Sequence, residues 1–307
     1  MPHLVKNLAR FLMFVRWQNL ALAAFIQLFL RYGFVIPFGM TPALSHFQFA
    51  LGIIATILLM AAGYIVNDIF DLEADKINKP ERTFINKFIS EKYAWNLYFV
   101  FTIFALIISL YLSLIINRIN YFSIPVLTAL LLYLYATDLK RKALIGNFII
   151  ALLAGLSIIT VLLFDIMPVI TSHKHSSALK YFILIVHIFI AFFAFLTTLI
   201  RELIKTLEDC KGDHSAGYST APIQFGEQIT LHIVRILMVL LASITLYAAY
   251  MVKSVYLYIY ISCLLILPWA YIFYLLFQNS SNKYSKSQKW MKVTMLFGIL
   301  SLFIIQI

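Results

Sequence analysis

Long apolar stretches separated by short polar ones divide this 307-residue chain into nine segments. They fall at roughly 17–37, 46–67, 93–116, 120–137, 143–165, 180–200, 229–251, 255–277 and 290–307. Each reaches or nearly reaches the ~20 residues an α-helix needs to cross hydrocarbon. Barrel strands alternate with period two, and these runs do not. The pattern predicts an all-α integral membrane protein with nine transmembrane helices. No linker or composition shift divides it, so residues 1–307 read as one domain.

Composition agrees. Hydrophobic residues make up 63% of the chain and charged residues 12%, about half the charged share of a soluble domain. The net charge of +11 lies in short segments between spans, which favours orientation and contact with lipid or phosphate over nucleic acid. With the N-terminus inside, 18 Lys and Arg fall on the cytoplasmic side and five on the other. The basic N-terminus precedes an apolar stretch too long for the core of a signal peptide, so 17–37 is read as a span. Cys210 and Cys263 have no metal-type spacing.

Only 13 residues are Asp or Glu, yet five of them, Asp68, Asp71, Glu73, Asp75 and Glu81, lie in NDIFDLEADKINKPER, residues 67–82. If the helix continues past Val66, Asn67, Asp71 and Asp75 recur at i, i+4, i+8 on one face, with Asp68 one step round. Stacked carboxylates repel unless a cation joins them. Hard oxygen donors at this density suit Mg²⁺, which takes one or two carboxylates, keeps some waters and bridges to substrate phosphates. A second cluster follows in a predicted loop, residues 201–226, with Asp209 and Asp213 at i, i+4, Glu208 beside them and Lys205 one turn earlier. Two such pairs at one membrane face are suited to hold two Mg²⁺ ions and clamp a diphosphate between them. Arg82, Lys140, Arg141 and Lys205 lie on the same side and complete the neutralisation. The group leaving such a diphosphate inside a membrane protein is expected to be a prenyl chain, its tail in an apolar channel.

At these motifs the chain resembles the UbiA superfamily of membrane prenyltransferases. The first family motif, NDxxDxxxD, is met by Asn67, Asp68, Asp71 and Asp75. The INKPER extension is similar to the branch that prenylates geranylgeranylglyceryl phosphate. The second motif of that branch, REIxKDxEDxxGD, is met at Arg201, Glu202, Lys205, Glu208, Asp209, Gly212 and Asp213. The Arg16–Asn19 pair and LYATDLKRKALIGN also resemble the family. The resemblance implies nine helices around a central cavity, as two four-helix pseudo-repeats plus one helix. It implies that Asn67, Asp71 and Asp75 hold one Mg²⁺, that Asp209 and Asp213 hold the other, and that Asp68 assists. It makes Lys140 and Arg141 diphosphate contacts, and assigns substrate contacts to Arg16, Asn19, Asn67, Arg82, Lys205, Glu208 and Tyr218. Thr206 departs from the branch's Asp, and Tyr218 stands where many members have Lys.

The expected reaction is Mg²⁺-dependent transfer of a prenyl group from a prenyl diphosphate to a membrane-associated acceptor. A lipid phosphate, geranylgeranylglyceryl phosphate, is expected first, with an aromatic acceptor such as 4-hydroxybenzoate as the alternative. A transporter would place its acids near the bilayer midplane, whereas here they cluster at the cytoplasmic ends. A CDP-alcohol phosphotransferase would carry one compact DG- and AR-containing motif, which is absent. Outside the clusters, Arg31 and Arg235 are expected to snorkel from span ends, and Asp165 to close span five with no special role. His187 is expected to bond a neighbouring helix, and His173 and His175 to be solvated.

Overall fold

The computed structural model describes residues 2–78, 83–170 and 176–306. Apart from two isolated bridges, their regular structure is helical. The chain begins with α1 (Pro2–Phe14), α2 (Trp17–Leu28, continued by a π-helix, Phe29–Val35), α3 (His46–Phe70) and α4 (Leu72–Asn78). Next come α5 (Glu91–Ile115), α6 (Ser123–Thr137), α7 (Ile145–Val161, continued by a π-helix, Leu162–Ile166) and α8 (Met167–Ile170). The last elements are α9 (Ser177–Ser215), α10 (Ala221–Phe225), α11 (Glu227–Val252), α12 (Val255–Ile261), α13 (Leu267–Leu275) and α14 (Lys283–Leu300). Ser45, Ser90, Ser176 and Ser254 cap α3, α5, α9 and α12 by accepting backbone N–H groups that the helix leaves unpaired.

Among the described residues, eight helices are long and apolar enough to cross a membrane, and a bent pair makes nine if its two halves are counted as one span. Its halves, Asn7–Phe14 and Trp17–Val35, meet at 64°. The bend sits at Arg16, whose φ of 54° and ψ of 49° are left-handed. A non-glycine residue there stores roughly 1–3 kcal/mol, and the surroundings must hold it.

The acidic stretches sit on helices. Asp71 interrupts α3 and α4, yet its N–H donates to Asn67 O (2.9 Å) and its carbonyl accepts from Asp75 N–H (2.8 Å). The i, i+4 spacing therefore survives the break. The second cluster is not the expected loop. α9 runs 39 residues, about 58 Å at 1.5 Å per residue, well beyond the ~30 Å hydrocarbon core. Arg201–Ser215 is thus the polar extension of a span, because a charge run at helical spacing continues a helix as readily as it ends one. Both extensions stand at one end of the bundle, where α4 packs on α9.

Between the spans the polarity is inverted. α5 turns Phe99, Ile103, Phe104, Ile107 and Leu114 outward. Its buried Ser109 and Ser113 donate to the carbonyls one turn back, at 2.8 Å each. α7 and α9 approach closely at Gly155, where a Cβ would lie 2.9 Å from Ala191 O, the small-residue contact of membrane packing.

Several expectations outside the acidic clusters are corrected. Arg31 does not snorkel, and Asp165 does more than close its span. They sit on the two π-helices, 3% and 1% exposed, and form a buried ion pair at 3.2 Å. Arg31 also donates to Leu44 O (2.6 Å), while Leu44 N–H donates to Asp165 (2.9 Å). The fifth span continues to Ile170, so Asp165 is an acid inside a span. A charge in hydrocarbon survives only when paired, and each found its partner. Arg235 does not snorkel freely but donates to Leu276 O (3.0 Å) and lies over the Phe277 ring. His187 bonds Ile183 O of its own helix (2.8 Å), not a neighbour. His173 and His175 lie outside the described residues.

Candidate active site

A cavity of about 1810 Å³ runs down the bundle between α2, α3, α4, α6, α7, α9 and α14. Its polar mouth carries Asn67, Asp68, Asp71 and Asp75 from one side and Glu202, Lys205, Glu208, Asp209 and Asp213 from α9. Farther in, Ile26, Ile53, Leu59 and Val161 make the wall apolar, and Leu44 and Asp165 line its other end.

Asp71 is the node of the mouth. Lys140 Nζ approaches it at 2.7 Å, Tyr218 donates its hydroxyl at 3.0 Å, and Asn67 donates its amide at 2.7 Å. Lys140 also reaches Asn67 Oδ1 (3.3 Å). It stands on a 3₁₀ turn, Leu139–Arg141, seated tightly on the start of α7. A Cβ on Gly146 would lie 2.7 Å from Lys140 Cα. Burial lowers the pKa of the Lys140 ammonium, with Asp71 pulling it back up. Burial and Asp71 raise the Tyr218 phenol above its usual range, so Tyr218 acts as a donor at neutral pH. The turn after α9 aims it: Tyr218 N–H donates to Asp213 O (2.9 Å), and Ser219 N–H to Arg141 O (2.8 Å).

Next to this node, Arg16 pairs with Asp68 at 2.5 Å and lies over the Tyr64 ring at 4.7 Å. That contact braces the left-handed bend of the first span. Asn19 donates to Tyr64 Oη (3.1 Å) and accepts from Lys292 Nζ (3.0 Å). On α9, buried Glu202 takes Arg201 (3.0 Å) and Lys205 (3.4 Å). Glu208 accepts from Gln288 of α14.

Most of the residues singled out from sequence therefore line one cavity. Arg141 does not: it is exposed, outside the lining, with its guanidinium 5.3 Å from the Tyr218 ring centroid. Arg82 lies outside the described residues. Sequence reading missed Tyr64, Gln288, Lys289 and Lys292. The last three fall in or at the edge of the stretch between the predicted spans 255–277 and 290–307, whereas α14 is already helical from Lys283.

Among the described residues no three His, Cys, Asp or Glu converge into a ready-made metal cage. Mg²⁺ does not need one, since it takes one or two carboxylates and completes its shell with water and phosphate. The oxygen-only donor sets of Asn67, Asp71 and Asp75, and of Asp209 and Asp213, fit that habit.

Residues 19–297 match the UbiA prenyltransferase family. The chain belongs to that family. Its membrane helices and prenyltransferase class follow from the membership. It is 34% identical over 253 residues to the digeranylgeranylglyceryl phosphate synthase of Sulfurisphaera tokodaii, covering 82% of this chain and 83% of the relative. It is 32% identical over 283 residues to the synthase of that name from Sulfolobus acidocaldarius, covering 92% of each. A solved structure of a digeranylgeranylglyceryl phosphate synthase superposes with a TM-score of 0.64 at 26% identity, over 98% of this chain and 99% of that one. A UbiA homologue from Archaeoglobus fulgidus bound to GPP and Mg²⁺ superposes at 0.60 with 16% identity, over 95% and 99%. At that identity the likeness concerns the fold.

Proposed function

We propose that this protein is a digeranylgeranylglyceryl phosphate synthase, which transfers a geranylgeranyl group from its diphosphate to the free hydroxyl of geranylgeranylglyceryl phosphate. The observation that carries the reading is the placement of two acidic motifs across the mouth of one cavity whose depth is apolar. The names and extent of the curated relatives support the acceptor. The Lys and Arg asymmetry supports a cytoplasmic mouth.

In this reading Asn67, Asp71 and Asp75 would hold one Mg²⁺, and Asp209 and Asp213 a second. Bound there, Mg²⁺ would supply charge neutralisation at the leaving diphosphate. Lys140 and Lys205 add positive charge beside it. Tyr218 and Asn67 fix the Asp71 carboxylate by hydrogen bonds, and the apolar wall excludes water from the tail. The carbon–oxygen bond to the diphosphate breaks, its electron pair leaving with the diphosphate. The acceptor oxygen forms the new ether bond, and its proton passes to the departing diphosphate. No side chain serves as a nucleophile.

The test is turnover of geranylgeranyl diphosphate by the purified protein in detergent, with geranylgeranylglyceryl phosphate and 4-hydroxybenzoate offered in parallel. Mg²⁺-dependent ether formation with the lipid phosphate supports the reading. Prenylation of the aromatic acid instead overturns it.

A further inference from the structure

We propose that the polar end of α14 is the subsite for the acceptor's phosphate, with Lys289 and Lys292 as its cations. This rests on the lipid-phosphate reading above and adds where that phosphate is held.

Charge placement is the first argument. Around the mouth, Arg16 pairs with Asp68 (2.5 Å), Lys140 with Asp71 (2.7 Å), and Arg201 and Lys205 with Glu202 (3.0 and 3.4 Å), while Arg10 lies over the Phe88 ring and Lys87 donates to Thr83 Oγ1 (3.3 Å). α14 carries Lys283, Lys286, Lys289 and Lys292 and no Asp or Glu. Lys283 turns away to Glu227 (3.4 Å). Ser285, Gln288, Lys289 and Lys292, spaced three, four and seven apart, form one helical face and line the cavity. α14 therefore brings positive charge to the cavity and no carboxylate of its own.

Position is the second. Lys292 Nζ donates to the neutral amide of Asn19 (3.0 Å), and Asn19 donates to Tyr64 (3.1 Å), whose ring lies under Arg16. Gln288 donates to Glu208 of α9. This face thus touches a neighbour of the first acidic motif and a member of the second, while contributing no carboxylate to either. A phosphate monoester carries about −1.5 to −2 charges at neutral pH, which two ammonium groups match and a single aromatic carboxylate does not. On a glyceryl phosphate the reacting hydroxyl sits on the carbon beside the one that bears the phosphate. An anchor next to Asn19 therefore keeps that hydroxyl close to the donor at the acidic motifs.

The experiment is steady-state kinetics of the full-length protein in detergent, for the parent and the Lys289→Gln/Lys292→Gln double variant. The donor is geranylgeranyl diphosphate, and the acceptors are geranylgeranylglyceryl phosphate and its unphosphorylated alcohol. The expected result is an acceptor KM raised about ten- to a hundredfold, as for loss of hydrogen bonds to a charged group, with the donor KM unchanged. Preference for the phosphorylated acceptor should collapse in the variant and return in Lys289→Arg/Lys292→Arg. Thermal unfolding, unchanged in both variants, separates this from misfolding. An unaltered acceptor KM, or donor and acceptor KM rising together, overturns the subsite. A parent that ignores the lipid phosphate and prenylates 4-hydroxybenzoate overturns the acceptor reading instead, which is a distinguishable outcome.

Discussion

The Tyr218 hydroxyl donates to the Asp71 carboxylate at 3.0 Å across 147 residues of sequence. It joins the turn that follows the second acidic motif to the centre of the first. A hydrogen bond to a charged group contributes about 1.5–3 kcal/mol. Tyr218→Phe should lower kcat/KM about tenfold or more and move the Mg²⁺ titration midpoint. Tyr218→Lys, which restores a donor, should keep most activity. A Phe variant with parental Mg²⁺ dependence would show that the bond does not set the geometry of Asp71.

Gly146 is the floor under Lys140. A methyl group there would lie 2.7 Å from Lys140 Cα and 3.1 Å from Leu139 O, atoms of backbone that cannot rotate aside. Gly146→Ala should displace the 3₁₀ turn at about 1–3 kcal/mol, the usual cost of overpacking. We expect a higher KM for prenyl diphosphate, read beside a small loss of thermal stability. Parental kinetics in that variant would mean that Lys140 tolerates displacement.

The Arg31–Asp165 pair predicts a non-additive result. Removing one partner leaves a buried charge alone, and such losses cost about 3–5 kcal/mol. Arg31→Met and Asp165→Leu should each destabilise the protein strongly in detergent, while the double variant regains most of the loss. Unfolding midpoints of the four proteins close the cycle, and simple additivity would contradict a coupled pair.

Hydrophobic run length and the spacing of Asn67, Asp71 and Asp75 were enough to place the spans and the first motif, because both depend on local periodicity. Contacts distant in sequence were hidden from such a reading. Arg31 meets Asp165 across 134 residues and Lys292 meets Asn19 across 273, and no local pattern marks either. Charge near a span end looks the same whether it meets water, lipid headgroups or a buried partner. The extension of α9 is hidden for a related reason: Arg201–Ser215 is polar enough for a loop, yet keeps the helical register that aligns Asp209 with Asp213. In α14 the lysines recur every three residues before the apolar run, and that spacing was the available sign of an earlier helix start.

The account's central claim is that two carboxylate groups on separate helices act as one site for Mg²⁺ and a diphosphate. The most direct measurement is Mg²⁺-dependent diphosphate release from geranylgeranyl diphosphate, with geranylgeranylglyceryl phosphate present. It compares the parent, Asp71→Ala, Asp209→Ala and the double variant. Residues that act as a unit are strongly non-additive, so each single variant should lose nearly all turnover and the double variant little more. Turnover surviving in either single variant would contradict the shared site.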